Sequence, residues 1–499
     1  MYLVALFFVV TVLLSVYLYL IRNYNYWKKQ NIPCAPKPIP GVGHALTVLM
    51  ARENMAMWAE RMYKLMGKHS MFGCYFVQKP ALLIRDPELI KTILQTNFSS
   101  FRNNLSTLHK DLDPILYKNS FFAKDELWKE SRTILGNNFS GKTLRSVFAI
   151  LCRVCDEFTV YVNEKIKSGI VDFELKDLSV KISGELVANA AFGIEGQSFK
   201  DNPDRDAFTE VAKRAFGMGM SNGLENALRF CFPSLATKIG VRLLPKETDL
   251  YFRQIIRTII KTRVKKNESN SDFLQFIVDR MHEIDEDMAL AQATSIFFDG
   301  YETSSSVLSF VVYRLAEHPS VQEMAREEIY SVLKKWNNKL TYESVKEMRY
   351  LEQVVCEVMR LNPGLGELIK ICNEEVTMQG KDGLKCTLKP GSLVVLSAMG
   401  IHMDDEFWHD PQVFDPERFS PARRSKVNKY SYLAFGEGPR VCIGKRMAMM
   451  TVKMAAAVIL KNYLLEVALM MTLPIKMNPN TFAWVAKDGL WVRFKHLRV

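Results

Sequence analysis

The sequence lacks the patterns that would place it among zinc proteins or disulfide-stabilised secreted domains. Its nine cysteines are odd in number and scattered over 499 residues, which indicates reduced thiols in the cytosol. Cys152 and Cys155 form a CxxC without a second such pair, and the eight histidines form no ligand cluster, so no zinc site is expected. These two cysteines lie in an apolar helical pattern and are interpreted as core residues.

Nucleic-acid-binding motifs are also missing, although the net charge is +12. The sequence has no zinc-finger spacing, no RNA-binding aromatic motif and no dense basic helix, so no nucleic-acid partner is expected. The basic excess instead favours membrane headgroups or an acidic protein surface. With 48% hydrophobic and 24% charged residues the chain has an ordinary folded composition, and its length permits one large enclosed core.

Charged side chains are absent from residues 2–21, which are mostly Leu, Val, Phe and Tyr. Twenty such residues are enough to span the hydrocarbon core of a bilayer. A cleaved signal peptide would have a shorter apolar core preceded by basic residues, whereas here Arg22, Lys28 and Lys29 follow it. Residues 1–22 are therefore predicted to be an uncleaved transmembrane anchor, with the bulk of the chain in the cytosol.

The segment after the anchor is predicted to be a connector. Residues 23–44 are basic at first and then proline-rich over Pro33–Gly41, a composition that excludes helix or sheet interior and favours a stiff extended hinge. The last long helical pattern, Met447–Leu464, is apolar but contains two lysines, which indicates a core helix and not a second membrane span. Residues 45–499 are predicted to form a single domain.

One stretch of this domain, Phe435–Gly444, combines a tight turn with a cysteine. Two glycines and a proline precede Cys442, Arg440 stands two residues before it, and a helical pattern begins at Lys445. A cysteine near a helix start is expected to be acidic, because free backbone N–H groups and the helix dipole favour its thiolate. A lone cysteine of this kind is usually a buried free thiol, but a thiolate in a dry loop is also a good axial ligand for haem iron.

The stretch resembles the haem-binding signature of the cytochrome P-450 family, in which Phe, two Gly, Arg, Cys and Gly recur at these spacings. All six are present here. The resemblance covers nearly the whole chain and is strongest to microsomal, insect-type members. It implies a mainly α fold with small β-sheets (α+β), an N-terminal transmembrane helix and bound haem b (iron protoporphyrin IX). It also implies that Cys442 ligates the iron and that Phe435 and Arg440 belong to the cofactor site.

The helical pattern over Gln292–Leu315 is interrupted by the polar run Asp299–Ser304. Acid and hydroxyl groups buried in a helix are costly unless they are paired or functional. The run resembles the family's oxygen-activating segment, which implies that Glu302 and Thr303 supply the protons needed for O–O cleavage. The family usually has Ala or Gly at the first position. Here Asp299 could narrow the pocket, bind a polar group of the substrate, or turn aside.

Three further residues are candidates for the haem propionates. Trp128 and Arg132 are four apart and share a helix face, which by itself favours a cation–aromatic surface pair. The resemblance implies that both contact a propionate. Many relatives have an arginine where Lys370 stands in this sequence. Lysine retains the charge but loses the bidentate fork.

Glu357 and Arg360 lie at i and i+3, a spacing that is common in weak surface ion pairs. Their apolar flanks favour a buried pair. The resemblance adds Arg418, from the sequence Pro416–Phe419, and implies a structural triad of Glu357, Arg360 and Arg418 beneath the haem.

The resemblance implies a monooxygenase that inserts one atom of O2 into a small apolar substrate, such as a xenobiotic, a steroid or a fatty acid. Electrons would come from NADPH through a membrane-bound cytochrome reductase, with cytochrome b5 as a further candidate donor, at the cytosolic face of the endoplasmic reticulum membrane. One alternative is a reductase-independent haem-thiolate isomerase or dehydratase acting on peroxides, a group that often loses the acid–Thr pair. Another is a haem- or sterol-binding protein without turnover.

The substrate pocket is predicted to draw on five parts of the chain. Residues 480–494 are predicted to form a hairpin whose tip, with Phe482 and Trp484, closes the pocket. The other parts are 101–124, 209–245, Asp299 and 364–368.

Overall fold

Helices make up most of the chain. The structure is a computed structural model that describes residues 2–105, 108–137, 139–266, 273–280 and 282–497. Over these residues the α-helical segments, in chain order, are α1 (Tyr2–Ile21), α2 (Leu46–Leu49), α3 (Met55–Leu65), α4 (Pro87–Lys91), α5 (Pro114–Tyr117), α6 (Asp125–Asn137), α7 (Gly141–Lys167), α8 (Leu175–Val187), α9 (Phe208–Ala215), α10 (Met220–Cys231), α11 (Pro233–Lys238), α12 (Lys246–Lys266), α13 (Phe273–Val278), α14 (Glu286–Glu317), α15 (Pro319–Lys335), α16 (Tyr342–Glu347), α17 (Arg349–Leu361), α18 (Ala398–His402), α19 (Pro421–Arg424) and α20 (Lys445–Asn462).

The strands form small sheets, so the α+β fold class predicted from the sequence is confirmed. In chain order they are β1 (Met71–Phe76), β2 (Lys79–Ile84), β3 (Asn103–Asn104), β4 (Asp172–Glu174), β5 (Glu367–Ile371), β6 (Val376–Gln379), β7 (Lys385–Leu388), β8 (Leu393–Ser397), β9 (Tyr463–Val467) and β10 (Trp491–His496). One sheet has the order β1-β2-β8-β5-β3, in which only β2 and β8 run parallel. A second has the order β4-β10-β9, and β6 pairs with β7.

Helix α14 is the axis of the domain, and its 32 residues extend over about 48 Å. It begins where the Asp285 carboxylate accepts a hydrogen bond from the Met288 amide, at 2.6 Å, and it ends before Pro319, which opens α15. Most of its residues are buried against α8, α20, α5 and α17. The helix therefore holds its polar run, Asp299–Ser304, in the middle of the core.

Helix α1 has no charged residue and none of its residues is buried by the rest of the protein. By length and composition it could cross a membrane, which is consistent with the predicted anchor. The segment 23–44, which the sequence predicts to be a hinge, packs closely on β1. Trp27 is fully buried and donates its indole N–H to the Cys74 carbonyl at 2.8 Å, and Gly73 exchanges backbone hydrogen bonds with Pro33 and Ala35.

Two local predictions from the sequence need correction. Residues 480–494 do not form one hairpin: β10 pairs with β9 and β4, while Met477 and Ala486 form a separate isolated bridge. The alternation in the sequence marks a strand but cannot identify its partner. The final helix ends at Asn462, two residues before the predicted Leu464, because Tyr463 already begins β9.

The packing of Trp27 predicts that Gly73→Ala destabilises the protein. An added Cβ would lie 2.4 Å from the Trp27 ring, so the hinge or β1 must shift. The expected loss is about 1–3 kcal/mol of unfolding free energy, measured by urea denaturation. Gly219→Ala is the control, since its Cβ would meet nothing closer than the Ser221 hydroxyl at 3.8 Å. Equal stability of the two variants would contradict close packing of the hinge.

Candidate active site

A cavity of about 790 Å³ lies between α14, α6, the loop 433–444 and the start of β5. This volume is near the upper end of the range for small-molecule sites. All five predicted parts of the chain contribute to its wall, as shown by Phe121, Phe216, Asp299, Leu365 and Phe482. Trp484, predicted to lie beside Phe482 at the tip, is instead buried in the main core.

The loop Phe435–Gly444 supplies one wall of the cavity. Gly438 has a φ of +76°, and an added Cβ would lie 1.8 Å from the Leu94 carbonyl oxygen, so only glycine fits there. The loop closes where the Cys442 amide donates to the Phe435 carbonyl at 2.8 Å. Gly444 then precedes α20. This turn presents the Cys442 thiol, together with Phe435, to the cavity.

The sequence predicted an acidic thiol at position 442, but in the protein alone the pKa of Cys442 is raised. Burial is the main cause, and it outweighs the Gly444 N–H and the charges of Arg132 and Lys445, which lower the pKa. Cys442 lies two residues before the Gly444 cap and not within the first helical turn. A bound metal cation would be the strongest influence in favour of the thiolate.

Three basic side chains line the cavity near this loop. Arg440 stacks on the Trp128 ring at 4.4 Å and donates to the Ala123 carbonyl at 2.8 Å. Arg132 donates to the Val441 carbonyl, and Lys370 donates to the Asn104 amide oxygen at 2.6 Å. Burial, followed by the nearby charge of Arg132, lowers the pKa of Arg440 to about 9. Burial, followed by the charge of Arg440, lowers the pKa of Lys370 to about 7.

This cluster has the chemistry of an anion site. Within the described part of the chain, Arg132, Lys370 and Arg440 form hydrogen bonds to carbonyl or amide oxygens and no ion pair with a carboxylate. Buried cations are normally paired, so the cluster is suited to one or more anionic groups inside the cavity. Haem carries two propionates at one edge. The cluster, the thiol of Cys442 and the apolar wall between them therefore fit haem.

The opposite wall is the polar run of α14. The Thr303 hydroxyl donates to the Asp299 carbonyl at 2.6 Å. Because Thr303 lines the cavity, its hydroxyl oxygen can still accept a hydrogen bond from a group there. Glu302 also reaches the cavity, and its Oε1 lies 3.0 Å from the buried ammonium of Lys176 on α8. Lys176 bonds in addition to the hydroxyls of Ser305, at 2.6 Å, and Ser306, at 3.1 Å. The two residues predicted from the family motif thus lie side by side, with Lys176 behind the acid.

Asp299 projects into the same cavity and does not turn aside. Its Oδ2 accepts a 3.3 Å hydrogen bond from Asn119, an amide that also donates to the Ser295 hydroxyl at 2.9 Å. Burial raises the pKa of Asp299 to about 7, while Asn119 and the charge of Arg132 act in the opposite direction. A carboxyl group therefore takes the place of the usual small residue in this wall.

A buried ion-pair network supports the cysteine loop. It consists of Glu357, Arg360 and Arg418. Arg360 donates to both Glu357 oxygens at 2.8 Å, and Arg418 approaches Oε1 at 3.3 Å. Glu357 and Arg360 are fully buried. His402 extends this network: its Nδ1 donates to the Arg360 carbonyl at 2.9 Å and its Nε2 accepts from the Leu433 amide at 2.8 Å. The network therefore reaches the loop that carries the cysteine.

Sequence analysis missed Lys176, Asn119 and His402. Each lies far in sequence from the residues that it contacts, and none belongs to a motif quoted above. Lys176 gave no distinguishing signal, because the same helical segment also contains Asp177, Lys181 and Glu185. Nothing in the local sequence distinguishes Asn119 or His402 from ordinary loop residues.

The helical fold and its cavity are those of a haem enzyme. A family model described as Cytochrome P450 matches residues 33–492, and this chain belongs to the cytochrome P450 family. Cytochrome P450 6l1 of Blattella germanica is 30% identical over 467 residues, covering 93% of this chain and 91% of that relative. Cytochrome P450 6a2 of Drosophila melanogaster is 29% identical over 498 residues (95% and 96%), and cytochrome P450 3A5 of Homo sapiens is 33% identical over 483 residues (93% and 91%).

The family predicted from the sequence is thereby confirmed, and insects are among the sources of its relatives. The protein is a haem-containing monooxygenase, and its family uses O2 together with a redox partner. This class agrees with an enclosed cavity that has a thiol on one side and an acid–hydroxyl pair on another.

Burial of His402 predicts a specific loss of stability in acid. Burial and the charge of Arg360 lower the pKa of His402 to about 3 from an ordinary value of 6.5. The unfolded chain therefore takes up a proton that the folded protein does not, and stability falls as the pH drops below 6.5. Between pH 7.5 and 5.5 this difference amounts to about 1.4 kcal/mol.

The test compares urea midpoints at these two pH values. His402→Gln can keep both hydrogen bonds but cannot titrate, so it should lose about 1.4 kcal/mol less than the wild type. His409→Gln is the matched control, because the His409 side chain is 90% exposed and should not alter the loss. Identical pH dependence of the wild type and His402→Gln would show that His402 is not held neutral.

Proposed function

We propose that this cytochrome P450 is a membrane-anchored haem-thiolate monooxygenase that inserts one atom of O2 into a small apolar substrate, such as a xenobiotic, a steroid or a fatty acid. Electrons come from NADPH through a membrane-bound cytochrome reductase. The observation that carries the proposal is the cavity itself. It brings Cys442, three basic residues that form no ion pair with a described carboxylate, and the Glu302–Thr303 pair to one enclosed apolar space.

In this proposal the cofactor is haem b, and the Cys442 thiolate would hold its iron. Arg440, Arg132, Trp128 and Lys370 would hold the propionates, and the Trp128 ring also stacks on the Arg440 guanidinium at 4.4 Å. Phe435 packs at the cofactor and its carbonyl closes the cysteine loop. The bound haem supplies the oxygen-activating chemistry, and thiolate ligation favours O–O cleavage.

Glu302 and Thr303 handle protons at the distal wall. Thr303 donates to the Asp299 carbonyl, so its oxygen is available to accept a hydrogen bond from the cavity. Glu302 is held by Lys176 at 3.0 Å and can exchange protons with water in the same space. The triad of Glu357, Arg360 and Arg418 has a structural task, since it fixes the segments below the cysteine loop.

The proposed location is the endoplasmic reticulum membrane, with the catalytic domain (45–499) on the cytosolic side of an anchor (1–22) and a hinge (23–44). Large apolar side chains exposed on α10, on α11 and at Ile239 support contact of this face with the bilayer. Ile239 also lines the cavity, so apolar substrates could enter from the lipid. The basic residues Lys129, Lys445 and Arg446 near the cysteine loop suit an acidic reductase, and cytochrome b5 could use the same charges.

The proposed iron ligand predicts that Cys442→Ser abolishes the red-shifted band of the reduced carbon-monoxide difference spectrum. A serine hydroxyl cannot replace the thiolate, whereas membrane association through α1 should be unaffected. The control is Cys34→Ser, which changes an exposed cysteine outside the cavity and should retain the band. A folded, haem-loaded Cys442→Ser protein with an unchanged band would refute the ligand assignment.

The proposed proton route predicts that Thr303→Ala consumes NADPH without matching product. Product formed per NADPH should fall at least about 10-fold, because positioned proton donors contribute 10²–10⁴-fold in comparable steps. Thr303→Ser keeps the hydroxyl and should stay coupled. Omission of the reductase should stop product formation in every case. Product from peroxides without reductase would instead favour an isomerase or dehydratase, and undiminished coupling in Thr303→Ala would remove this residue from the proton route.

A further inference from the structure

We propose that Asp299 recognises a protonated amine on an otherwise apolar substrate. The inference rests on the proposed function, because it names the substrate class of the same cavity. It starts from the position of the residue. The Asp299 carbonyl accepts from the Thr303 hydroxyl at 2.6 Å, so the acid lies one helical turn from the proposed proton donor. A cation held by Asp299 would therefore fix which part of the substrate lies near the reacting centre.

The partners of Asp299 leave room for a ligand. Its carboxylate accepts one long hydrogen bond, 3.3 Å from Asn119 to Oδ2. Asn119 is itself fully buried and shares its amide with the Ser295 hydroxyl. Across the described ranges no lysine, arginine or histidine pairs with Asp299, although the cavity holds three cations at another wall. An ionised carboxylate has capacity for about four hydrogen bonds, so most of that capacity is open to the cavity.

The electrostatics favour a cationic ligand over a neutral one. Among the described residues, Arg132 and Cys442 are the charged or titratable groups that interact electrostatically with Asp299, and the Arg132 guanidinium is already bonded to the Val441 carbonyl. Glu302, the next acid on α14, is neutralised by Lys176 on α8. Burial opposes the charge of Asp299 and raises its pKa to about 7. A bound ammonium group would relieve this cost, whereas an apolar group at the same place would leave it unrelieved.

A second buried carboxylate, that of Glu367, makes it possible to test where an amine binds. Glu367 opens β5 and lines a separate small pocket of about 70 Å³, and its Oε2 has no hydrogen-bond partner among the described residues. This pocket shares Phe121, Phe298 and Phe482 with the main cavity. Glu367 does not line the main cavity itself. An amine bound near α14 would depend on Asp299, whereas an amine bound in the side pocket would depend on Glu367.

The experiment measures binding of two matched probes to the haem-loaded, full-length protein by equilibrium dialysis at pH 7.5. N,N-dimethyl-4-phenylbutylamine carries the cation, and 5-methylhexylbenzene is its neutral isostere with CH in place of N. Wild-type protein should prefer the amine about 10-fold or more, the worth of a charge-assisted hydrogen bond. Asp299→Asn should abolish the preference at nearly constant side-chain volume. Asp299→Ala should also abolish it and bind the neutral probe more tightly, because the wall becomes wider and apolar.

The controls are Asp287→Asn, on the same helix but paired with Arg253 outside the cavity, and Glu367→Gln. Both should keep the preference. Loss of the preference in Glu367→Gln but not in Asp299→Asn would overturn the proposal. An amine preference that survives in Asp299→Asn, with the absorption change of nitrogen ligation to iron, would also overturn it.

These results can be separated from the proposed function. The carbon-monoxide spectrum and the reductase-dependent turnover of each variant report on the haem-thiolate chemistry, whereas the ratio of the two dissociation constants reports on Asp299 alone. If the spectrum is normal and the ratio is the same in the wild type and Asp299→Asn, amine recognition fails while the proposed function stands.

Discussion

The burial of one carboxylate, that of Glu357, is the constraint on which the site depends. Glu357 is fully enclosed and is neutralised by Arg360 at 2.8 Å and Arg418 at 3.3 Å. Removing one partner of such a pair leaves the other charge buried and unpaired, which lowers the free energy of unfolding by about 3–5 kcal/mol. The Arg360 carbonyl is tied through His402 to the Leu433 amide, two residues before Phe435. A single buried charge network thus reaches from helix α17 to the loop that presents Cys442.

Above this network the cavity is electrically asymmetric. Arg132, Arg440 and Lys370 lie at one side without carboxylate partners among the described residues, and their charges suit the acidic edge of haem. On the α14 side the cavity wall carries acidic side chains instead of basic ones. Glu302 is already paired with Lys176, whereas the Asp299 carboxylate has one long hydrogen bond among the described residues. The proposed haem site depends on the first arrangement, and the proposed recognition of an amine depends on the second.

Much of the fold and of the candidate site could be predicted because short-range patterns encode it. The apolar run of α1, the glycine turn before Cys442 and the polar run in α14 are all local, and the family motifs identified Glu302, Thr303 and Arg440. Predictions failed where the outcome depended on distant groups. The partners of β10 are β9 and β4, and the thiol of Cys442 is less acidic than its place near a helix start suggested, because burial outweighs the nearby N–H groups.

The sequence by itself determined the family, the enclosed helical class of the fold and the identity of the chemical groups, since these depend on residue type and spacing. Tertiary structure alone decided how those groups are paired. It placed Lys176 against Glu302 and Asn119 against Asp299. It also placed His402 between Arg360 and Leu433. These partners are too far apart in sequence for a local pattern to predict their contacts. The physical reason is that the cost of a buried charge depends on what surrounds it in space. The sequence shows Asp299 only as an unusual acid in a motif, and the packing shows that it faces the cavity and forms no ion pair with any described residue.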